Sequence, residues 1–504
     1  MTQTTAPAPL GKLQTGISGL DQITYGGLPK SRTTLVSGTA GSAKTIFACQ
    51  FLAEGIRRFE EPGVFVTFEE SPQDIRVNNA SMGWDIARWE AEGRWRFVDA
   101  SLHSEDEVTY VGSFDFGGLL ARLEAAVRQI GARRLVMDSL GAVFTQFHDR
   151  ATVRRELHRL ARALRQMGVT TVMTSERTEE YGDIARYGVE EFVADNVIIL
   201  RNALEEEKRR RTIEVLKLRG AAHQRGEFPL SLIPQEGIVV VPLSAIELKQ
   251  RSSDRRITSG NASLDAMCGG GLFRDSIVLV SGATGTGKTL TTTEFVKGGC
   301  FHQERCLLFA FEESREQLFR NASGWGVDFG QMEREGLLRV VCEYPETAPL
   351  EDHLVNMRKL INEFEPQRVA VDSLSALERV STPKSFREFV IALTSFIKHK
   401  EITGLFTSTT STLMGAASVT EAHISTITDS IILLRYIEMF GEIRRGVTVL
   451  KMRGSAHEKV IREFTIDGAG MHIGDPFREV SGVLSGHPHL ARMQEIDRVS
   501  GLFS

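Results

Sequence analysis

Apolar positions along this chain fall into short runs separated by longer mixed segments. Thr33 to Ser37 and Ser276 to Ser281 are such runs, each leading into a glycine-rich loop, and they read as buried strands. The segments behind the loops, Thr45 to Arg58 and Thr289 to Cys300, read as helices. Val64 to Phe68 and Cys306 to Phe311 are the next apolar runs, and Arg134 to Met137 and Arg368 to Val371 each run up to an aspartate. This alternation predicts an α/β fold with mostly parallel, doubly wound sheets flanked by helices, and ligands at the carboxyl ends of the strands.

The same pattern occurs twice. Thr15-Gly16 through Asp21 and Gly26-Gly27-Leu28 are echoed by Ser259-Gly260 through Asp265 and Gly270-Gly271-Leu272. Gly38 and Gly282 open the glycine loops 244 residues apart, and Glu69-Glu70 recurs as Glu312-Glu313 at 243. Asp138-Ser139-Leu140 recurs as Asp372-Ser373-Leu374 at 234, as does Lys217-Leu218-Arg219 with His223 as Lys451-Met452-Arg453 with His457. Ordered landmarks at nearly constant offset mark a duplication. The predicted layout is a disordered lead (1–9), two tandem domains (10–245 and 258–485), a polar linker (246–257) and a tail (486–504).

Gly282-Ala283-Thr284-Gly285-Thr286-Gly287-Lys288-Thr289 is a full G-x-x-x-x-G-K-T phosphate loop between a strand and a helix. Glycines let backbone N–H groups wrap phosphates at a helix N-terminus, Lys288 reaches the β- and γ-phosphates, and the Thr289 hydroxyl meets Mg²⁺. The first loop is Gly38-Thr39-Ala40-Gly41-Ser42-Ala43-Lys44-Thr45. Ala43 replaces the last glycine, and its methyl is expected to crowd the β-phosphate and slow hydrolysis. Asp138 and Asp372 end strands where a carboxylate holds Mg²⁺ together with Thr45 and Thr289. A lone aspartate there is more often a helix cap, but the repeat favours the metal. One glutamate of each pair, Glu69-Glu70 and Glu312-Glu313, polarises the attacking water or hydroxyl while the other orients it; Glu312 is also a candidate near the metal. The cations Lys217, Arg219, His223, Lys451, Arg453 and His457 follow late strands (Ile213 to Leu218; Val447 to Met452) and suit a triphosphate bound by an adjacent subunit.

Composition adds limits. The 504 residues are 41% hydrophobic and 25% charged, with net charge −5, too long for one core. The run Lys208-Arg209-Arg210-Arg211 reads as a solvated strand edge, so nucleic acid is not an expected partner. Five cysteines without paired spacing read as reduced thiols, and no apolar stretch spans a membrane. A cytoplasmic protein is expected.

Several segments carry a family resemblance: Phe65-Val66-Thr67-Phe68-Glu69-Glu70, Arg186-Tyr187-Gly188-Val189-Glu190-Glu191-Phe192-Val193, Met267-Cys268-Gly269-Gly270-Gly271, Met414-Gly415-Ala416 and His423-Ile424-Ser425-Thr426-Ile427-Thr428-Asp429. Over roughly residues 10 to 490 the chain resembles the KaiC family, the circadian-clock ATPases of cyanobacteria and their relatives in the RecA-like superfamily. The resemblance implies two RecA-like lobes per chain and a homohexameric double ring with ATP between neighbouring subunits. The N-terminal lobe is then a slow ATPase and the platform for a KaiB-like partner, near Val111 to Asp115, and the C-terminal lobe an autokinase and autophosphatase. Ser425 and Thr426 stand as its phosphorylation sites, with Thr420 beside them, and Ser81, Leu290, Trp325 and Arg445 join the ATP-binding residues. Segment 411–422 and the short tail after Phe477 differ from the cyanobacterial clock form, so dependence on a KaiA-like activator is not carried over. Two other classes compete: a DNA-dependent RecA or helicase ATPase, which the acidic charge disfavours, and an ATP-assembled scaffold without catalysis.

Overall fold

The computed structural model describes residues 10–101, 116–144, 150–185, 188, 190–205, 208–242, 253–410, 426–439, 441–477, 480–481 and 489–490. The chain divides into two compact units, 1–245 and 246–504. Each holds a nine-stranded sheet.

In the first unit six strands run parallel. From the outer edge inward they are Trp95–Asp99, Gly63–Thr67, Arg134–Asp138, Thr170–Glu176, Thr33–Gly38 and Asn196–Glu205. Leu35, Val36, Val64, Phe65, Val66, Leu135, Val136 and Met137 are fully buried, as expected of parallel strands covered by helices on both faces. The late strand read at Ile213 to Leu218 is longer than its alternation showed, and two more follow it. Lys208–Leu218, Glu227–Ile233 and Gly237–Val240 extend the sheet antiparallel. The second unit repeats the plan, with Ile277–Gly282 between Thr403–Thr409 and Ser430–Met439, then Glu442–Met452, Arg462–Asp467 and Gly470–Pro476 antiparallel. Arg256–Ile257, at the end of the polar stretch read as a linker, pairs as a strand with Leu272–Phe273.

The helices behind the loops are Lys44–Phe59 and Lys288–Phe301, and they start one residue before the predicted segments because the loop lysine already has helical geometry. Arg57 and Arg58 sit in the last turn of the first, where cations complement the helix dipole.

One strut recurs in both units and was not read from the sequence. Arg134 is fully buried; its Nε donates to Glu61 Oε2 at 2.8 Å, Nη1 to the Phe51 carbonyl at 2.9 Å and Nη2 to the Gln14 carbonyl at 2.8 Å. Arg368 repeats this with Glu304 at 2.7 Å, the Phe295 carbonyl at 3.0 Å and the Thr258 carbonyl at 2.8 Å. A buried charge is tolerable when paired and fully hydrogen-bonded, and these are. Glycine makes the room. A Cβ on Gly55 would lie 2.4 Å from Arg134 Nε, and one on Gly299 2.8 Å from Arg368 Nε.

Candidate functional site

The phosphate loops close by matching bonds. Ser42 Oγ donates to the Thr39 carbonyl at 2.8 Å, and Thr286 Oγ1 to the Ala283 carbonyl at 2.7 Å. Lys44 Nζ donates to the Thr39 carbonyl at 2.9 Å, and Lys288 Nζ to those of Gly282 and Ala283 at 2.9 and 3.0 Å. Gly41 and Gly285 adopt φ of 73° and 80°, turning the loop backbone as a phosphate cradle requires.

The residue before each lysine caps the helix in the left-handed region, Gly287 at φ 105° and Ala43 at φ 75°. For alanine that conformation costs about 1–2 kcal/mol. Its methyl does not fill the phosphate cradle, however. Ala43 packs against the apolar core of its unit, and a Cβ on Gly287 would meet Ile466, Met471 and Phe464. The expected crowding is therefore replaced by a backbone cost.

Both strand-end aspartates sit beside the loop hydroxyls. Asp138 bonds with Thr45 and Thr174, and Asp372 with Thr289 and Thr407. Burial raises both carboxyls above their ordinary value, against these hydroxyls and the loop lysines, which lower it. Burial likewise lowers the Lys44 ammonium, opposed by Glu176, Asp138, Glu69 and Glu180. Among the described residues no three His, Cys, Asp or Glu side chains cluster as a metal site. The donors present fit a cation held by one carboxylate, one hydroxyl and phosphate oxygens, the usual setting of Mg²⁺ at a nucleotide.

The glutamate pairs divide their roles. Asn78 donates to Glu70 Oε2 at 3.1 Å and Asn321 to Glu313 Oε2 at 3.0 Å, so the second glutamate is anchored alike in each unit. The first differs. Ser139 Oγ donates to Glu69 Oε1 at 3.0 Å, whereas Glu312 Oε1 pairs with Arg379 Nη1 at 3.1 Å. Burial, then Glu176 and Asp138, raise the Glu69 carboxyl, and burial, then Asp372, raises Glu313.

The late cations lie elsewhere. Gly38 pairs with Leu200, but Leu218 pairs with Asn196 beside Thr34, at the opposite end of the sheet. The four residue steps from Thr34 to Gly38, at ~3.3 Å each, separate the two ends by roughly 13 Å. Lys217 Nζ donates to the Glu191 and Ala194 carbonyls, and Arg219 stands 3.7 Å from Asp195. In the second unit Lys451 Nζ donates to the Thr428 carbonyl and Arg453 Nη2 to the Thr426 carbonyl, both at 2.7 Å. Among the described residues, Nδ1 of His223 and of His457 is buried without a hydrogen-bond partner. Leu218 and Met452 are core residues, so they offer a ligand little more than backbone.

A family model described as ATPase: KaiC matches residues 13–245 and again 257–477. The chain belongs to the KaiC family. It is 66% identical over 492 residues to the circadian clock protein KaiC3 of Synechocystis sp., covering 98% of this chain and 97% of that one. It is 54% identical over 491 residues to the circadian clock oscillator protein KaiC of Synechococcus elongatus (97% and 94% covered) and 55% over 481 residues to that of Thermostichus vulcanus (95% and 92%). Each unit is thus a KaiC ATPase domain, and ATP use follows from the family.

Other sequence-predicted residues of this KaiC-family chain fall in varied places. Leu290 is buried in the core, Trp325 caps helix Arg315–Gly324 against that core, and Ser81 lies exposed in the turn Ala80–Met82. Arg445 belongs to the loop end, 5.7 Å from the Tyr436 ring, whose hydroxyl lies beside Gly285. Thr426 is described, but Ser425, Thr420 and Val111 to Asp115 lie outside the described residues. The sequence reading missed Arg211, whose Nε donates to the Gly41 carbonyl at 3.2 Å, and Glu180, which accepts from Thr39 Oγ1 at 2.6 Å. Arg211 and Arg445 share the 234-residue offset, a signal that could have found the first from the second. No helix among the described residues is long and apolar enough to cross a membrane.

Proposed function

We propose that this chain is a ring-forming clock ATPase, with slow ATP hydrolysis in the N-terminal unit and a Ser/Thr autokinase and autophosphatase in the C-terminal unit. The observation that carries this reading is the separation within each sheet. Lys288 and Glu312 stand at one end, and Thr426, Lys451 and Arg453 at the other. A nucleotide on the loop of one unit meets such cations, and such an acceptor hydroxyl, only from another unit. Head-to-tail association of copies supplies them, and a homohexamer with ATP between neighbours satisfies every site.

In the C-terminal unit Glu312 takes the proton from the Ser425 or Thr426 hydroxyl of a neighbour as its oxygen bonds the γ-phosphorus and ADP leaves. Lys288 stabilises the charge on the transferring group, and Arg453, arriving with the acceptor segment, adds a second cation. In the N-terminal unit Glu69, oriented by Ser139, accepts the proton of an attacking water, and Lys217, Arg219 and His223 arrive from the neighbour. Thr45 with Asp138, and Thr289 with Asp372, would hold Mg²⁺, which supplies charge neutralisation at the phosphates. Relatives named as clock proteins support the clock role, and a KaiB-like partner belongs to the same reading.

The test is γ-labelled ATP followed by phosphosite mapping, with particle size measured with and without ATP. Label on Ser425 and Thr426, lost in Glu312→Gln and Lys288→Ala but kept in Lys44→Ala given ATP enough to assemble, is expected. A monomer in saturating ATP, or no label at either residue, overturns the reading.

A further inference from the structure

In the second unit a cleft of about 680 Å³ lies at the sheet end away from the phosphate loop. Its wall carries Arg255, Arg256, Arg274, Arg305 and Arg368, and one carboxylate, Glu304. Both oxygens of that carboxylate are already used, Oε1 by Arg274 at 3.1 Å and Oε2 by Arg368 at 2.7 Å. Arg256 spends Nη1 on the Cys268 and Gly271 carbonyls and stacks at 4.2 Å on the Phe273 ring, so it is fixed in place without a carboxylate. Among the described residues no acid pairs with Arg255, and Arg305 has only the exposed Glu365 at 3.4 Å. The chain as a whole is acidic, at −5, so this excess of cations is local.

The duplication supplies an internal control. The Glu61–Arg134 pair matches Glu304–Arg368, and aligned on these pairs and the adjoining strands, the positions of Arg255, His302 and Arg305 hold Gly11, Phe59 and Pro62. The strut is common to both units, and Arg256 and Arg274 answer to Lys12 and Lys30, but at the positions of Arg255 and Arg305 the cation belongs to the second unit alone. Cations at the C-terminus of helix Lys288–Phe301 also suit its dipole, yet Arg255 comes from a different element, and so does Arg274. Planar guanidinium forks converging in a cleft match phosphate oxygens, and the concave wall focuses their field.

We infer that this cleft binds a phosphate-bearing anion, at a site separate from both phosphate loops. Its size admits a nucleotide as readily as a free polyphosphate. The full chain, its loops saturated with β,γ-imido ATP, is titrated calorimetrically with pyrophosphate and, in a parallel arm, with adenosine 5′-monophosphate. One additional pyrophosphate per chain is expected, weakened at least tenfold in the Arg255→Ala/Arg305→Ala variant and largely retained in Arg255→Lys/Arg305→Lys. Tighter binding of the monophosphate than of pyrophosphate identifies a nucleotide as the ligand; the reverse identifies a free phosphate. Absence of pyrophosphate binding beyond the loops, or equal affinity in the alanine variant, overturns the inference. The lysine variant, which keeps the charges, separates loss of the site from loss of the fold.

Discussion

Arg379 Nη1 stands 3.1 Å from Glu312 Oε1, while the matching glutamate of the first unit, Glu69, is held by the neutral hydroxyl of Ser139. The counterpart of Arg379 is Thr145. One duplicated carboxylate therefore has a charged partner and the other a neutral one. A half-exposed ion pair is worth about 0–1 kcal/mol, enough to restrain Glu312 from a substrate hydroxyl without disabling it. Arg379→Ala is expected to raise the initial rate of self-phosphorylation by up to about fivefold, with N-terminal ATP hydrolysis unchanged. Single-turnover label transfer beside steady-state phosphate release measures both.

Glu69 gives a pH signature. Burial and its acidic neighbours raise its carboxyl above the ordinary 4.5, and the Ser139 bond opposes them. A general base must be ionised, so N-terminal hydrolysis is expected to fall as pH drops through a value above 4.5. Ser139→Ala removes a contact that favours the ionised form, which moves this acid limb to still higher pH. Glu69→Gln lowers the rate on the order of 10²–10⁴-fold and abolishes the limb. A pH–rate series on a Lys288→Ala background isolates the N-terminal unit.

Ala43→Gly tests where the methyl acts. Glycine relieves a left-handed cost of about 1–2 kcal/mol, but its freer unfolded chain takes back about 0.4–1 kcal/mol, and the apolar contact is lost. The expected net change in stability is below ~1 kcal/mol, with nucleotide affinity of the first loop nearly unchanged. Thermal unfolding and nucleotide titration report the two. A large gain in affinity would restore the idea that the methyl crowds the phosphate.

The buried struts predict the largest losses of stability. Arg134→Ala leaves Glu61 without its partner and is expected to cost about 3–5 kcal/mol. Gly55→Ala forces a methyl onto the same guanidinium and is expected to be similarly damaging. Denaturant unfolding that resolves the two units should place both losses in the first.

The sequence disclosed the duplication, both loops and the strand-end aspartates because these rest on local spacing and strand–loop–helix context. Contacts between distant segments were harder to read. Nothing near Arg134 announced that its guanidinium would cross the core to Glu61 and the Gln14 and Phe51 carbonyls. Nor did the run Lys208 to Arg211 show that Arg211 would turn to the Gly41 carbonyl. The direction of the Ala43 methyl is set by the left-handed cap, which a motif does not contain. Loop and late cations looked alike as phosphate ligands, and only the antiparallel register of Asn196–Glu205 with Lys208–Leu218 separated them.

That register has a genetic consequence. In a head-to-tail assembly, a chain that loses Arg453 keeps its own loop and its own Glu312, and the defect surfaces in the neighbour whose nucleotide that arginine would have met. Loss of Lys288 is felt on the chain's own nucleotide. Mixed with each other, chains bearing one lesion and chains bearing the other complement at the junctions where two good edges meet. A chain bearing both spoils the sites on either side of it.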